Sequence, residues 1–185
     1  MIRRVLLGLI VLAVAGVAVY WFALRDSSTP TAEAKPTTPV AQIGEGKTVI
    51  LVGDDGRLLG TRTTEDNKKG GGEEQKHLVV LPVKKRPKGD RVKGHTLEEV
   101  HVIAAAPAAL RRYIAAARYG KVGVELETTG GIEIRFGDDR ETTRKWEAAA
   151  TVLADPSVTL LSYVDVTAPT HPAIGGEDHE LPPAN

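Results

Sequence analysis

The sequence predicts an α+β protein: an N-terminal transmembrane helix followed by a mainly antiparallel sheet with helices packed on one face. Three observations carry that expectation. Residues Val5 to Leu24 form an uncharged apolar run. The stretch "VGVELETTGGIEIRF", from residue 122, alternates apolar and polar side chains on both sides of a turn. Two segments, around Leu97 to Ala104 and Trp146 to Leu153, repeat apolar residues at helical spacing and lie between strand-like segments.

The apolar run is the first element. Twenty helical residues rise about 30 Å, the thickness of a bilayer's hydrocarbon core. Arg3, Arg4 and the amino terminus precede it, whereas Arg25 is offset by Asp26. The positive-inside rule then places the N-terminus in the cytoplasm and all that follows outside the membrane. Tyr20, Trp21 and Phe22 mark the outer headgroup zone. A cleaved signal peptide is the rival reading. It needs a shorter apolar region and small residues at the cleavage site, which the bulky "YWFAL" does not offer.

The expected division is residues 1–24 for the cytoplasmic stub and span, 25–46 for a flexible linker, 47–169 for an extracytoplasmic domain and 170–185 for a disordered acidic tail. The linker is rich in Ser, Thr, Pro and Ala and has few large apolar groups to repay ordering entropy. Beyond it, "TVILV", the turn "GDDGR" and "LLGTRT" predict a hairpin. A polar loop with three consecutive glycines follows, and then the strand "HLVVLPV". The next stretch, "KKRPKGDRVK", carries six basic residues against one Asp. It reads either as a solvated loop or as a patch for anionic lipid or wall polymer.

Thr96 and Glu99 have the spacing of a capping box at the start of the first helix, as do Asp138 and Glu141 before the second. "AALRRYIAAARYG" is ambiguous between helix and strand. In the alternating hairpin, a three-residue loop from Thr129 to Gly131 pairs Leu126 with Ile134 and Val124 with Phe136, and Gly131 takes the left-handed position. That register also sets Glu125 opposite Arg135 and Glu127 opposite Glu133. The last strand is expected from Val158 to about Thr167, stopped by Pro169 and Pro172.

The composition narrows function. Lys plus Arg and Asp plus Glu both number 24, which does not suit nucleic-acid binding. Without cysteine there is neither a disulfide framework nor a thiol nucleophile. His95 and His101 lie six apart, and the other histidines lie in expected loops and tail, so no metal site is expected. There is no nucleophile elbow, zinc-protease helix or phosphate loop. We therefore expect no enzyme activity, no cofactor and no small-molecule substrate.

Residues 123 to 176 contain, in order, the hairpin, the "RFGD" end, a helix with Arg144 and Lys145, and "SYVDV" before a stretch ending in "AIGG". This series resembles the C-terminal half of the β-domain of the FtsQ/DivIB bacterial cell-division family, and "LVGDDGRLL" and "LPV" resemble its beginning. The family's POTRA module has no counterpart between the expected span and the domain. The resemblance implies a divisome scaffold in the bacterial cytoplasmic membrane, gathered at the septum. It would hold FtsB- and FtsL-type partners outside the membrane by strand addition to the last β-strand. Carried over, the pairing edge is Ser162, Tyr163, Val164, Asp165, Val166 and Thr167, with Lys121 as the basic residue on the neighbouring hairpin. Ala168 and Gly176 stand where some relatives place aromatic contacts. The residues alone also suit an anchored envelope or secretion-system subunit unrelated to division, or, further off, an anchored wall-active enzyme.

Overall fold

The computed structural model describes residues 37–44, 46–63, 78–83 and 85–181. The expected span Val5 to Leu24, linker residues 25–36, the triple-glycine loop and residues 182–185 lie outside the described residues. Among the described residues no helix is long and apolar enough to cross a membrane.

In chain order the strands are β1 Pro39–Ile43, β2 Thr48–Gly53, β3 Leu58–Thr63, β4 Val79–Leu81, β5 Ile114–Gly120, β6 Gly123–Thr128, β7 Glu133–Gly137, β8 Tyr163–Asp165 and β9 Ala173–Gly175. The helices are α1 His95–Ala104, the single turn α2 Ala108–Arg111, and α3 Thr142–Leu153. Among the described residues all nine strands form one sheet in the order β3-β2-β1-β4-β5-β6-β7-β8-β9. Three neighbouring pairs are parallel, β1 with β4, β4 with β5, and β7 with β8. The remaining five are antiparallel. A parallel pair needs a long crossover. Helices α1 and α2 supply it between β4 and β5, and α3 supplies it between β7 and β8.

Two expected boundaries are corrected. Strand β1 falls inside the stretch read as linker, yet it lies between β2 and β4 with Val40, Ala41 and Ile43 buried. A short central strand buried on both faces shows neither alternation nor length, which is why "PVAQI" passes for linker. At the other end, β9 lies in the stretch read as disordered tail, and the chain beyond it still pairs with its own fold. Leu161 N–H donates to His179 O at 2.8 Å, and Leu181 N–H donates to Thr159 O at 3.1 Å. The described domain therefore runs from residue 37 to 181, not from 47 to 169.

The central hairpin has the expected loop, with Gly131 at φ 83°. Leu126 faces Ile134, Glu125 faces Arg135, and Glu127 faces Glu133. Val124 instead faces Gly137, because the register slips between Val124 and Glu125. Close backbone approach accounts for the slip: Gly123 has φ 107°, and a Cβ there would lie 2.5 Å from the Gly137 carbonyl oxygen. Only glycine avoids that clash.

Neither expected capping box forms. Helix α1 begins after Gly94, at φ 60°, with no side-chain cap, and α3 begins after Glu141 in a left-handed conformation at φ 52°. Glu99 is 6% exposed and takes a hydrogen bond from the Tyr119 backbone on β5. Burial, more than any neighbour, pushes its carboxyl up to about 7. Asp138 turns to Arg140 and Lys145 instead of the helix start.

The core is sealed by Trp146 on α3, which is buried beside Phe136 of β7 with ring centroids 5.2 Å apart. Its indole N–H donates to the Val102 carbonyl at 3.0 Å. Val102 O is one of the last α1 carbonyls, and the N–H that would serve it, from Ala106, goes to Ile103 O. Arg111 caps two more carbonyls of this end, Ala104 O at 3.2 Å and Ala106 O at 2.8 Å.

Trp146→Ala should cost about 3–5 kcal/mol in urea unfolding. Trp146→Phe should cost about 1–3 kcal/mol, mainly because the Val102 carbonyl stays buried without a donor. A Trp146→Phe cost near zero would mean that the indole bond contributes nothing. Because the Glu99 pKa is raised on folding, its stabilising contribution is complete below the unfolded value near 4.5 and is lost as pH rises through about 7. Wild-type stability should therefore fall between pH 5 and pH 8 by about 2 kcal/mol relative to Glu99→Gln, read from paired melts.

Candidate functional site

The residues predicted to form a docking edge occupy an interior strand. Strand β8 pairs with β7 on one side and with β9 on the other. Glu133 N–H donates to Ser162 O at 3.0 Å, and Val166 N–H donates to Arg135 O at 2.9 Å. On the far side, Ser162 N–H donates to Gly175 O at 2.9 Å. No row of vacant backbone groups is left along Tyr163, Val164 and Asp165, so the expectation that Ser162 to Thr167 forms the open edge is corrected.

The side chains agree. Val164 and Val166 are fully buried against the core. Ser162 Oγ donates to the Asp178 carboxylate, which locks the strand to the segment after β9. The Tyr163 ring lies under the Arg135 guanidinium at 3.8 Å. Asp165 accepts from Thr167 N–H at 3.0 Å and from Thr167 Oγ1 at 2.6 Å, which closes the end of the strand. Each of these residues thus has a partner within the chain.

The position missed from sequence is β9, the last strand of the sheet. Its pairs with β8 are Tyr163 with Gly175, Val164 with Ile174, and Asp165 with Ala173. Val164 has its backbone turned toward β7, so in an alternating ladder Tyr163 and Asp165 turn theirs toward β9. Ala173 and Gly175 then face β8, while the N–H and C=O of Ile174 point outward. Ile174 is 47% exposed. The signal available in the sequence was "AIGG" itself, in which Gly176 reaches φ 75° where any Cβ would meet the Ser162 side chain.

Lys121 is separated from β9. It is exposed in the turn between β5 and β6 and helps line a shallow depression of about 390 Å³ with Tyr119, Asp138 and Lys145. Two of its lining residues are paired with each other. Lys145 Nζ donates to the Asp138 carbonyl at 3.0 Å and to its carboxylate at 2.8 Å. Arg140 first and Lys145 second hold the Asp138 carboxyl well below the usual carboxylate range.

Across β5 to β8, the sheet face away from the helices carries a continuous ladder of charge. Arg118 reaches Glu125 at 2.8 Å and Glu133 at 2.6 Å, and Arg135 meets Glu133 at 2.7 Å. His101 pairs with Asp139 at 2.8 Å, and His95 stacks on Tyr119 at 3.7 Å. No group of three or more potential metal ligands occurs among the described residues.

Among the described residues these features define an α+β domain with one nine-stranded mixed sheet, one end of which is the short exposed strand β9. No family model matches the sequence. No curated protein matches it either. Among solved structures the chain is similar to the major extracytoplasmic domain of the bacterial cell-division protein DivIB from Geobacillus stearothermophilus. The identity is 17% and the TM-score 0.42, over 65% of this chain and 94% of that one.

Hydrogen exchange checks the new edge directly. The amides of Tyr163 and Asp165 should be protected, and that of Ile174 should exchange at least about tenfold faster than either. The reverse order would restore β8 as the boundary of the sheet.

Proposed function

We propose that the chain is a non-enzymatic scaffold of the bacterial division apparatus, anchored in the cytoplasmic membrane, which binds FtsB- and FtsL-type partners outside the membrane by adding their strands to β9. The carrying observation is the outer edge of the sheet: Ala173–Gly175 is paired on one side, with Ile174 exposed at its centre. Support also comes from the ordered sequence resemblance over residues 123 to 176 and from the apolar run at residues 5 to 24.

A three-residue edge supplies few main-chain bonds. Strand addition gains affinity from backbone pairing and selectivity from alternate side chains. Here the outward groups of Ile174 give the first and its side chain gives the second. The partner strand would lie antiparallel or parallel to β9 with an apolar residue against Ile174. Lys121 lies away from this edge and contributes only if a partner extends over the β5–β6 turn.

Ile174→Pro tests the reading. Proline removes one outward N–H and leaves the inward pairs of Ala173 and Gly175 in place, a substitution that edge strands tolerate. The variant should keep its melting temperature within about 3 °C. It should lose pull-down of an FtsB-type partner by about tenfold or more. Unchanged binding by a folded variant would exclude β9 as the docking strand. A fluorescent fusion spread evenly round the cell rather than gathered at the septum would exclude the division role.

A further inference from the structure

We infer that the basic segment from Lys85 to Lys93 is a binding surface for anionic phospholipid headgroups and holds the domain against the membrane from which the chain emerges. Three features of its placement lead there. The segment is clamped to the turn between β2 and β3: Val92 N–H donates to Gly56 O at 2.9 Å, Leu58 N–H donates to Asp90 O at 2.8 Å, and Arg91 bridges Arg57. Val92 is fully buried, and Gly56 leaves no room for a Cβ beside it and Leu97. A segment anchored in this way presents its charges from a fixed base.

The charges are also uncompensated. Asp55 takes Arg57 at 3.1 Å and Arg91 at 3.4 Å, which fixes those two guanidinium groups. Lys85, Arg86, Lys88 and Lys93 are exposed and have no acidic partner among the described residues. Four exposed cations set against the single Asp90 of the segment repel one another, and an anionic surface relieves that repulsion.

The third feature is where the chain enters the domain. Asp54, in the turn that carries the basic segment, donates its N–H to Thr38 O at 3.0 Å. Thr38 is the second described residue, and twelve residues, 25 to 36, separate it and Thr37 from Leu24. Fully extended, twelve residues reach about 40 Å. The entry point is thus the part of the domain that chain length confines most closely to the bilayer, and the cationic cluster adjoins it. Tethering of this kind turns weak contacts into an effectively intramolecular equilibrium. Each Lys or Arg near an anionic leaflet is worth about fivefold in that equilibrium.

The inference rests on reading Val5 to Leu24 as a span and is independent of partner binding at β9. The absence of native cysteine permits a single fluorophore at Asp90→Cys. The full-length chain would be reconstituted into vesicles of phosphatidylcholine alone or mixed with phosphatidylglycerol, with a quencher on the lipid headgroups. We expect quenching with phosphatidylglycerol that falls about fivefold or more when Lys85, Arg86, Lys88 and Lys93 are all changed to Glu, and that also falls when salt is raised to about 1 M. These exposed substitutions should leave the melting temperature unchanged. Equal quenching in both lipids, or full quenching of the charge-reversed chain, overturns the proposal. So does release of the label from phosphatidylglycerol vesicles by inorganic polyphosphate alongside tighter binding to that polymer, which would make the surface a site for soluble polyanions. A chain extracted from the vesicles by alkali would overturn the span as well, a result distinct from an integrated chain whose label is unquenched.

Discussion

Trp146 connects parts of the fold that sequence order keeps apart. Its indole N–H satisfies Val102 near the end of α1, and its ring lies against Phe136 of β7. Helix α3, which carries it, is also the crossover that lets β8 run parallel to β7. A parallel neighbour has no tight turn to fix its register, so register comes from packing of the crossover. Val164 and Val166, buried beneath that helix layer, then fix which backbone groups of β8 face β7 and which face β9. The identity of the exposed edge therefore follows from an aromatic residue more than twenty positions upstream.

The two faces of the sheet solve opposite problems. One is apolar and covered by α1 and α3. The other carries Arg118, Glu125, Glu133, Arg135 and Tyr163 in a row across four strands. The like charges of Glu127 and Glu133, which face each other across the hairpin, are offset by Arg118 on β5 and by Arg135 on β7, both of which turn to Glu133. Arg135 and then Arg118 keep that carboxyl below its ordinary value, although burial works against them. Such partly exposed pairs contribute modestly to stability. Their greater effect is to make a broad sheet face unattractive to apolar partners, so that exposed apolar contact is left to isolated positions such as Ile174.

Periodicity made the interior of the fold legible and left its margins obscure. Alternation over Val122 to Phe136 gave the hairpin, its loop and three of its four pairs, because one face is buried and the other solvated. The helical repeats around Val100 and Trp146 were equally clear, but their starts were not. Thr96 and Asp138 have the spacing of caps, whereas tertiary demands from Tyr119, Arg140 and Lys145 decide where Glu99 and Asp138 turn. Strands β1 and β9 escaped notice because five- and three-residue segments bounded by Pro and Gly carry no period. That second omission moved the candidate edge by one strand. Composition identified residues 84 to 93 as basic, but the attachment of Asp90, Arg91 and Val92 to the turn beside Thr38 depends on backbone pairing that no local pattern encodes.

The hydrogen bonds from Leu161 to His179 and from Leu181 to Thr159 have a practical consequence for anyone who shortens this chain. Cutting at the prolines near residue 170, where composition invites it, would strip the cover from β8 and leave its N–H and C=O groups bare beside an apolar core. The trimmed molecule would carry a sticky border that the intact one lacks, prone to self-association through a surface of the experimenter's making.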